Sequence, residues 1–171
     1  MNLKDYIRDI PDFPEPGILF KDITPLLKSS IALKYVIERF RSYYQDKHID
    51  IVCGIEARGF IFATPLAIEL NKPFVPIRKE GKLPFKTQAT KYKLEYGEAT
   101  VEIHADAVEP GQKVLIVDDV LATGGTLAAS GELIESQGGK VAGFAILVEL
   151  LGLNGRSKLG NHDLMSLIEY P

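Results

Sequence analysis

The chain has 171 residues, of which 46% are hydrophobic and 25% are charged, proportions typical of a globular protein. This length predicts a single domain over residues 1–171, which is long enough to bury a full hydrophobic core. The composition excludes a disordered chain, a collagen-like chain and a coiled coil. The net charge of −3 argues against nucleic acid as a partner, because such proteins usually carry a positive excess.

Cysteine content and hydropathy predict a protein of a reducing compartment. Cys53 is the single cysteine, so no intramolecular disulfide can form, and its apolar neighbours predict a small core residue. Charged residues interrupt the N-terminal ten residues, which is unlike a signal peptide. No apolar run reaches the ~18 residues of a membrane span. We therefore expect a soluble, cytoplasmic protein without a membrane partner.

Prolines punctuate the first thirty residues and disfavour long helices there, although a short helix is expected over residues 3–10. Ser29 or Ser30 is expected to cap the next helix. Beyond residue 49, short apolar runs alternate with helical patterns, and this alternation predicts a parallel sheet with helical crossovers. Strands are expected at 49–55, 74–77, 114–117, 141–148 and 164–168, helices at 59–70 and 126–137, a mobile loop at 79–91, and a hairpin around 92–103.

The segment VLIVDDVLATGGT, residues 114–126, carries the most specific chemistry. An apolar strand runs into two adjacent carboxylates, then into a turn of small and hydroxyl residues, and then into a helix. Ligands of open parallel sheets bind at such carboxyl ends of strands. Glycine N–H groups, threonine hydroxyls and the helix start suit a phosphate monoester. The alternative is an ordinary strand-to-helix turn with an acidic cap.

Neither of the common phosphate-binding fingerprints matches this segment. No lysine follows the glycines, as a nucleoside-triphosphate loop requires, and the G-x-G-x-x-G spacing is absent. Asp118 and Asp119 would repel a phosphate. They suit a neutral polyol or a magnesium-bound group further along the ligand, and the vicinal hydroxyls of a ribose meet that requirement.

This segment resembles the phosphoribosyl-pyrophosphate signature of the type I phosphoribosyltransferases. The rest of the chain is similar to the adenine-specific members of that family over nearly its whole length. The similarity is carried by several separate motifs in the same order, which are FPEPGILFKDITP at 13–25, ARGF at 57–60, IRKEGKLP at 77–84 and LEYG at 94–97.

The resemblance implies that the phosphoribosyl group of phosphoribosyl pyrophosphate is joined to N9 of adenine, giving AMP and pyrophosphate in purine salvage. It implies an α/β fold with a central parallel sheet flanked by helices, an N-terminal hood over the base within residues 1–33, and a flexible catalytic loop at 79–100. Magnesium is expected on the pyrophosphate, held mainly by substrate oxygens rather than by a protein cage. Family members are typically homodimers.

The resemblance also assigns roles to residues. The 5′-phosphate is assigned to Ala122, Thr123, Gly124, Gly125 and Thr126, and the ribose hydroxyls to Asp118 and Asp119. The pyrophosphate is assigned to Arg58, Arg78, Lys79 and Lys82. Considered alone, Arg58 could be a surface arginine and the three other cations a solvated loop.

Base choice depends on fewer positions. Relatives that use 6-oxopurines usually carry Asp at the position of Ala122, so Ala122 disfavours them. The resemblance assigns N7 of adenine to Glu95, which in isolation would be a solvent-facing hairpin carboxylate, and base recognition to Leu19 and Lys21, largely through the backbone. Some members have Arg in place of Lys21, and Lys cannot reproduce its planar contacts. The alternatives are a xanthine or pyrimidine enzyme and a non-enzymatic sensor of phosphoribosyl pyrophosphate.

Overall fold

The computed structural model describes residues 1–93 and 97–171, in which the chain forms nine strands and four α-helices. Leu94, Glu95 and Tyr96 lie outside the described residues. The strands are β1 (Arg8–Pro11), β2 (Leu19–Asp22), β3 (Ile51–Ile55), β4 (Phe74–Lys79), β5 (Thr87–Lys93), β6 (Glu98–His104), β7 (Lys113–Leu121), β8 (Lys140–Leu150) and β9 (Leu164–Tyr170). The α-helices are α1 (Thr24–Lys28), α2 (Ser30–Tyr44), α3 (Gly59–Glu69) and α4 (Gly125–Ser136), and 3-10 helices cover Leu3–Tyr6, Leu151–Leu153 and Gly155–Leu159.

Seven of these strands form one sheet in the order β5-β6-β4-β3-β7-β8-β9. The strands from β4 to β9 in that order are parallel neighbours, whereas β6 pairs antiparallel with both β4 and β5. The predicted α/β fold with a central sheet flanked by helices is confirmed. The prediction of a parallel sheet needs one correction, because the β5–β6 hairpin adds an antiparallel edge.

The sheet has a hydrophobic core on each face, as alternation along β7 shows. Leu115 and Val117 pack with the residues of α1, α2 and α3, whereas Val114 and Ile116 pack on the other face with α4 and the hairpin. Successive side chains of a strand point to opposite faces, so a wholly apolar strand can serve both cores. Cys53, in the central strand β3, is fully buried, which confirms its prediction as a core residue.

Helix α2 follows the expected pattern. The Ser29 hydroxyl accepts a hydrogen bond from the backbone N–H of Ala32 at 3.2 Å and thereby caps the helix. Val36, Phe40 and Tyr44, one helical turn apart, are buried against the sheet.

Two predictions near the N-terminus and the hairpin differ from the structure. The helix expected over residues 3–10 is a single 3-10 turn, Leu3–Tyr6, because the chain then pairs as strand β1 with β2 in a separate two-stranded sheet. That small sheet is the regular part of the predicted hood. The hairpin predicted around 92–103 is longer in the structure, because residues 87–93 pair with 98–104 and so include part of the segment 79–91 that was predicted as a loop. No helix in the two described ranges is both long and apolar enough to cross a membrane.

Candidate active site

The acidic pair lies where β7 approaches its carboxyl end, beside the carboxyl end of β3. The backbone N–H of Asp119 donates a hydrogen bond to Oδ1 of Asp118 at 2.9 Å. Asp119 is 4% exposed, and its Oδ2 has no aligned hydrogen bond from any residue that the structure describes. A buried carboxylate oxygen with unused acceptor capacity is suited to a donor supplied by a ligand.

Arg58, in the turn between β3 and α3, is the cation nearest to this pair. Its Nε lies 2.8 Å from Oδ2 of Asp119, as an ion pair whose N–H is not directed at the oxygen. Burial raises the pKa of Asp118 well above its ordinary value, and the neighbouring Asp119 carboxylate adds to the rise. Burial also raises the pKa of Asp119, while Arg58 acts in the opposite direction.

Gly59 allows the start of α3 to approach the acidic pair. A Cβ at this position would lie 2.7 Å from the Val117 carbonyl oxygen and 3.0 Å from Oδ1 of Asp118. Only glycine fits at these distances. The arginine and the carboxylates are therefore brought together by close contact between the backbones of two neighbouring elements.

The turn after β7, residues 122–126, is the phosphate loop of the sequence prediction. Gly124 takes the left-handed conformation with φ of 78° and occupies the N-cap position of α4, and no side chain of the described residues caps that end. The first N–H groups of the helix are thus available to an anion. Together with Thr123, Gly125, Thr126 and neighbouring residues, the loop lines a cavity of about 70 Å³.

A larger cavity of about 340 Å³ opens beside the acidic pair. The structure brings together here most of the predicted site, namely Arg58, Arg78, Lys79, Asp118, Asp119, Ala122 and Thr126. Arg78 is held in place by Nε donating to Glu56 Oε2 at 2.6 Å and by Nη1 donating to the carbonyl of Lys82 at 3.0 Å. Lys82 therefore contributes its carbonyl to this arrangement, and it is not among the residues that line the cavity.

Leu19 and Lys21 lie in a different cavity, of about 510 Å³, which they share with Tyr170 and residues after β8. Because side chains alternate along β2, Phe20 faces the other way, and its ring centre lies 5.4 Å from the Arg58 guanidinium carbon. Phe20 thus connects the hood to the site. The sequence does not predict this position, because residues 19–22 are L-F-K-D and show no alternation of apolar and polar side chains.

Several further residues of the large cavity were not singled out from the sequence. Glu56, Val120 and Tyr92 line it, and Tyr92 also contacts Gly125, where a Cβ would lie 3.2 Å from the ring. Tyr92 belongs to β5 and pairs with Ala99 of β6, within the segment that the sequence predicts as a hairpin. Glu95, the predicted partner of N7, lies outside the described residues.

Comparison with known proteins identifies the family. Residues 23–165 match the model of the phosphoribosyl transferase domain. The adenine phosphoribosyltransferase of Kosmotoga olearia is 56% identical over 99% of this chain and 100% of that protein. The crystal structure of the enzyme of that name from Thermoanaerobacter pseudethanolicus has a TM-score of 0.95 and 52% identity, covering 98% of each chain.

A third relative is known with a bound base. The adenine phosphoribosyltransferase of Saccharomyces cerevisiae, solved with an imino-altritol bisphosphate and adenine, has a TM-score of 0.90 and 39% identity, covering 96% of this chain and 95% of that one. These matches confirm the resemblance found in the separate sequence motifs. The chain belongs to the phosphoribosyltransferase family and, within it, to the adenine phosphoribosyltransferases.

Proposed function

We propose that the protein transfers the phosphoribosyl group of phosphoribosyl pyrophosphate to N9 of adenine and forms AMP and pyrophosphate in purine salvage. The observation that carries this proposal is one continuous arrangement at the carboxyl ends of β3 and β7. It consists of an anion cup, a buried acidic pair and a cationic wall. The three parts match the phosphate, the ribose and the pyrophosphate of a single substrate.

The phosphate loop is proposed to hold the 5′-phosphate. Backbone N–H groups of Gly125 and Thr126 begin helix α4, and no acidic side chain occupies the first turn of this helix. The positive end of the helix dipole therefore faces the cup without a competing negative charge. The half-buried Thr126 side chain lines both cavities, so its hydroxyl is available to the phosphate.

Asp118 and Asp119 are proposed to accept hydrogen bonds from the ribose hydroxyls. Asp119 is buried and Asp118 half-buried, which strengthens such bonds because less water competes for the carboxylate oxygens. As the bond from C1′ to pyrophosphate breaks, positive charge develops on the sugar, and nearby carboxylates stabilise it. Arg58 keeps this pair partly neutralised before the substrate arrives.

Arg58, Arg78 and Lys79 are proposed to bind the pyrophosphate leaving group. All three line the large cavity on the side of β3 and β4, away from the phosphate loop. Arginine binds paired phosphate oxygens through a planar fork, and the hydrogen bonds of Arg78 to Glu56 and Lys82 fix the plane of its guanidinium. Lys82, being exposed, would reach a substrate only if the turn before β5 closed over it.

Adenine is proposed to bind between the hood and the acidic pair. Strand β2 belongs to a two-stranded sheet, so its second edge presents N–H and C=O groups that no described strand pairs. These groups at Leu19 and Lys21 can recognise the base through the backbone. In the tautomer that carries its proton on N7, N9 forms its bond to C1′ while the bond to pyrophosphate breaks, and the N7 proton passes to the Glu95 carboxylate.

Magnesium is proposed to accompany the pyrophosphate. No group of three His, Cys, Asp or Glu side chains forms a metal site within residues 1–93 and 97–171. The buried acidic pair nevertheless offers oxygen donors of the kind that Mg²⁺ prefers, and the ion retains water and phosphate oxygens in most sites. When bound, magnesium supplies positive charge that offsets the charge of the leaving group.

The outer face of α3 supports a homodimer as the assembly. Ile61, Thr64, Pro65 and Ile68 recur at helical spacing; Ile61 is 37% and Ile68 74% exposed, whereas the opposite face of the helix is buried. An apolar helical face of this kind is usually covered in solution. We propose that a second copy covers it. We also propose a cytoplasmic location, which suits the single, fully buried thiol of Cys53.

Transfer of labelled adenine, compared with hypoxanthine, guanine and xanthine, tests the reaction. We expect kcat/KM for adenine to exceed that for hypoxanthine at least ~100-fold, because a site that pairs an exocyclic amine leaves polar groups unpaired against a carbonyl. Comparable values would favour a 6-oxopurine enzyme. Binding of phosphoribosyl pyrophosphate without transfer to any base would favour a sensor.

A further inference from the structure

An ion pair between a buried carboxylate and a half-exposed arginine lies behind the phosphate loop, outside the substrate cavities. Glu149 near the end of β8 is 2% exposed, and in the sheet it is the neighbour of Leu121, the last residue of β7. Arg156 donates to it through two nitrogens, Nε to Oε1 at 2.9 Å and Nη2 to Oε2 at 2.5 Å. Ser166 of β9 donates to Oε2 at 2.7 Å. The carboxylate is therefore fully engaged.

Arg156 belongs to the 3-10 helix Gly155–Leu159, whose first residue touches the phosphate loop. A Cβ at Gly155 would lie 2.1 Å from the carbonyl oxygen of Ala122 and 2.9 Å from the backbone nitrogen of Gly124. Conversely, a Cβ at Gly124 would lie 2.3 Å from the carbonyl oxygen of Gly155. The two backbones are thus in direct contact without any side chain between them.

Such contact can transmit the position of the 3-10 helix to the loop. The loop binds a phosphate through backbone N–H groups, and these cannot adjust individually as a long side chain can. Phosphate binding then depends on where the loop as a whole is held. A displacement of about 1 Å at a binding group can weaken its contribution by up to about a hundredfold.

We propose that the Glu149–Arg156 ion pair positions the phosphate loop by holding Gly155 against its back. Both are positioning residues, since neither lines the cup or the large cavity. Leu159, buried at the other end of the same 3-10 helix, anchors that end in the core and leaves the Gly155 end to the ion pair. This inference rests on the proposed binding of the 5′-phosphate at residues 122–126.

A purely stabilising role does not account for the paired geometry of this contact. The Arg156 side chain is 49% exposed and the Glu149 side chain is 3% exposed, so the guanidinium remains partly open to water while it satisfies a buried carboxylate. The pair also fixes the direction of the short 3-10 helix Gly155–Leu159. Its geometry, two parallel N–H bonds to one carboxylate, restricts orientation more strongly than a single contact does.

The test uses the full-length protein and two probes that occupy different parts of the site. Ribose 5-phosphate reports on the cup, and pyrophosphate with magnesium reports on the cationic wall. Affinities are measured by calorimetry for Arg156→Met, Arg156→Lys and Glu149→Gln. Lys47→Met is the matched control, because it removes an ion pair with Asp163 that lies away from the phosphate loop.

We expect Arg156→Met to raise Kd for ribose 5-phosphate about tenfold or more, with Kd for pyrophosphate changed less than about twofold. Arg156→Lys, which retains charge but not the paired bonds, is expected to lie between wild type and Arg156→Met. In turnover, KM for phosphoribosyl pyrophosphate should rise more than kcat falls. Lys47→Met should bind both probes as wild type does.

Equal loss of affinity for both probes, or unchanged affinity for ribose 5-phosphate in all three variants, would overturn the proposal. Arg156→Lys and Glu149→Gln keep the polar character of the pair, so they decide the matter if Arg156→Met does not fold. Thr126→Ala separates this inference from the site assignment. If Thr126→Ala weakens ribose 5-phosphate but the Glu149 and Arg156 variants do not, only the positioning role fails. If Thr126→Ala has no effect either, the assignment of the cup fails.

Discussion

Nε of Arg58 lies 2.8 Å from Oδ2 of Asp119, so the residue proposed to bind pyrophosphate is also the counter-ion of the residue proposed to bind ribose. In the proposed assignment, one guanidinium therefore interacts with the groups that bind two parts of the substrate. Burial raises the pKa of Asp119 and Arg58 opposes that rise. We therefore expect any substitution of Arg58 to change both the binding of the leaving group and the ionisation of the acidic pair.

We predict that Arg58→Met raises Kd for magnesium pyrophosphate roughly tenfold or more, since a charge-assisted hydrogen bond contributes ~1.5–3 kcal/mol. The pKa of Asp119 should rise further without its counter-ion. Because the carboxylate must be ionised to accept ribose hydroxyls, the loss of ribose 5-phosphate affinity on acidification should begin at a higher pH than in wild type. Calorimetry between pH 4 and 8 measures both effects.

Arg41→Met is the control for Arg58→Met, because Arg41 pairs with Glu69 at 3.6 Å on the protein surface. It should leave both affinities unchanged. If the affinity of Arg58→Met for ribose 5-phosphate depends on pH as in wild type, Arg58 does not control the ionisation of the acidic pair.

Thr126→Ala should raise KM for phosphoribosyl pyrophosphate roughly ten- to a hundredfold, the range for one lost charge-assisted hydrogen bond. The melting temperature should remain close to that of wild type. The fold loses little, because Ser130 bonds to the Thr126 backbone carbonyl rather than to its hydroxyl. Thr126→Ser, which keeps the hydroxyl, should restore most of the affinity. If Thr126→Ala binds phosphoribosyl pyrophosphate as wild type does, the Thr126 hydroxyl does not contact the phosphate.

Glu95→Leu should lower kcat by roughly 10²–10⁴, the usual contribution of a general acid or base, and Glu95→Gln should lower it less. Substrate affinities and melting temperature should change little. Glu98, at the start of β6, is exposed and close to Glu95 in the sequence, so Glu98→Gln serves as the control. Near-normal turnover of Glu95→Leu under saturating substrates would show that water, rather than Glu95, exchanges the proton with the base.

Lys21→Met should raise KM for adenine by roughly three- to tenfold and leave KM for phosphoribosyl pyrophosphate nearly unchanged. The reason is that Lys21 Nζ lies 2.7 Å from Asp9 Oδ1 and 3.9 Å from the centre of the Tyr170 ring, which ties the hood to β9. Lys21→Arg keeps the charge and the stacking on Tyr170, so it should behave like wild type. Steady-state kinetics with each substrate varied in turn measure the difference. Equal changes in both KM values would contradict a role confined to the hood.

The sequence alone predicts those strands and helices whose local residue pattern agrees with their burial in the fold. Strand β3 is apolar throughout, and α4 begins and ends beside glycines, so both were predicted nearly to their ends. The helix expected over 3–10 failed because pairing with β2 overrides the local preference of residues 8–10. Pairing with a distant strand cannot be predicted from the pattern of a few neighbouring residues in the sequence.

The residues of the candidate site can likewise be divided into those that the sequence predicts and those that it does not. Asp118, Asp119 and Arg58 follow predicted strands, so their convergence at one edge of the sheet could be expected from topology. Phe20 could not be predicted, because the apolar pair Leu19–Phe20 does not indicate which of the two side chains faces the site. Gly155 could not be found, because its contact with the phosphate loop arises between segments some thirty residues apart.

The contact between Gly124 and Gly155 also has a consequence for how this protein can change over evolutionary time. A methyl group at either position would fill the same narrow gap, so the two sites are not free to vary one at a time. A backbone shift that opens the gap for a side chain at one position would relieve the steric limit at the other, while φ of 78° at Gly124 still favours glycine there. Changes at the two positions should therefore be coupled, and designed libraries that randomise the phosphate loop should randomise Gly155 with it.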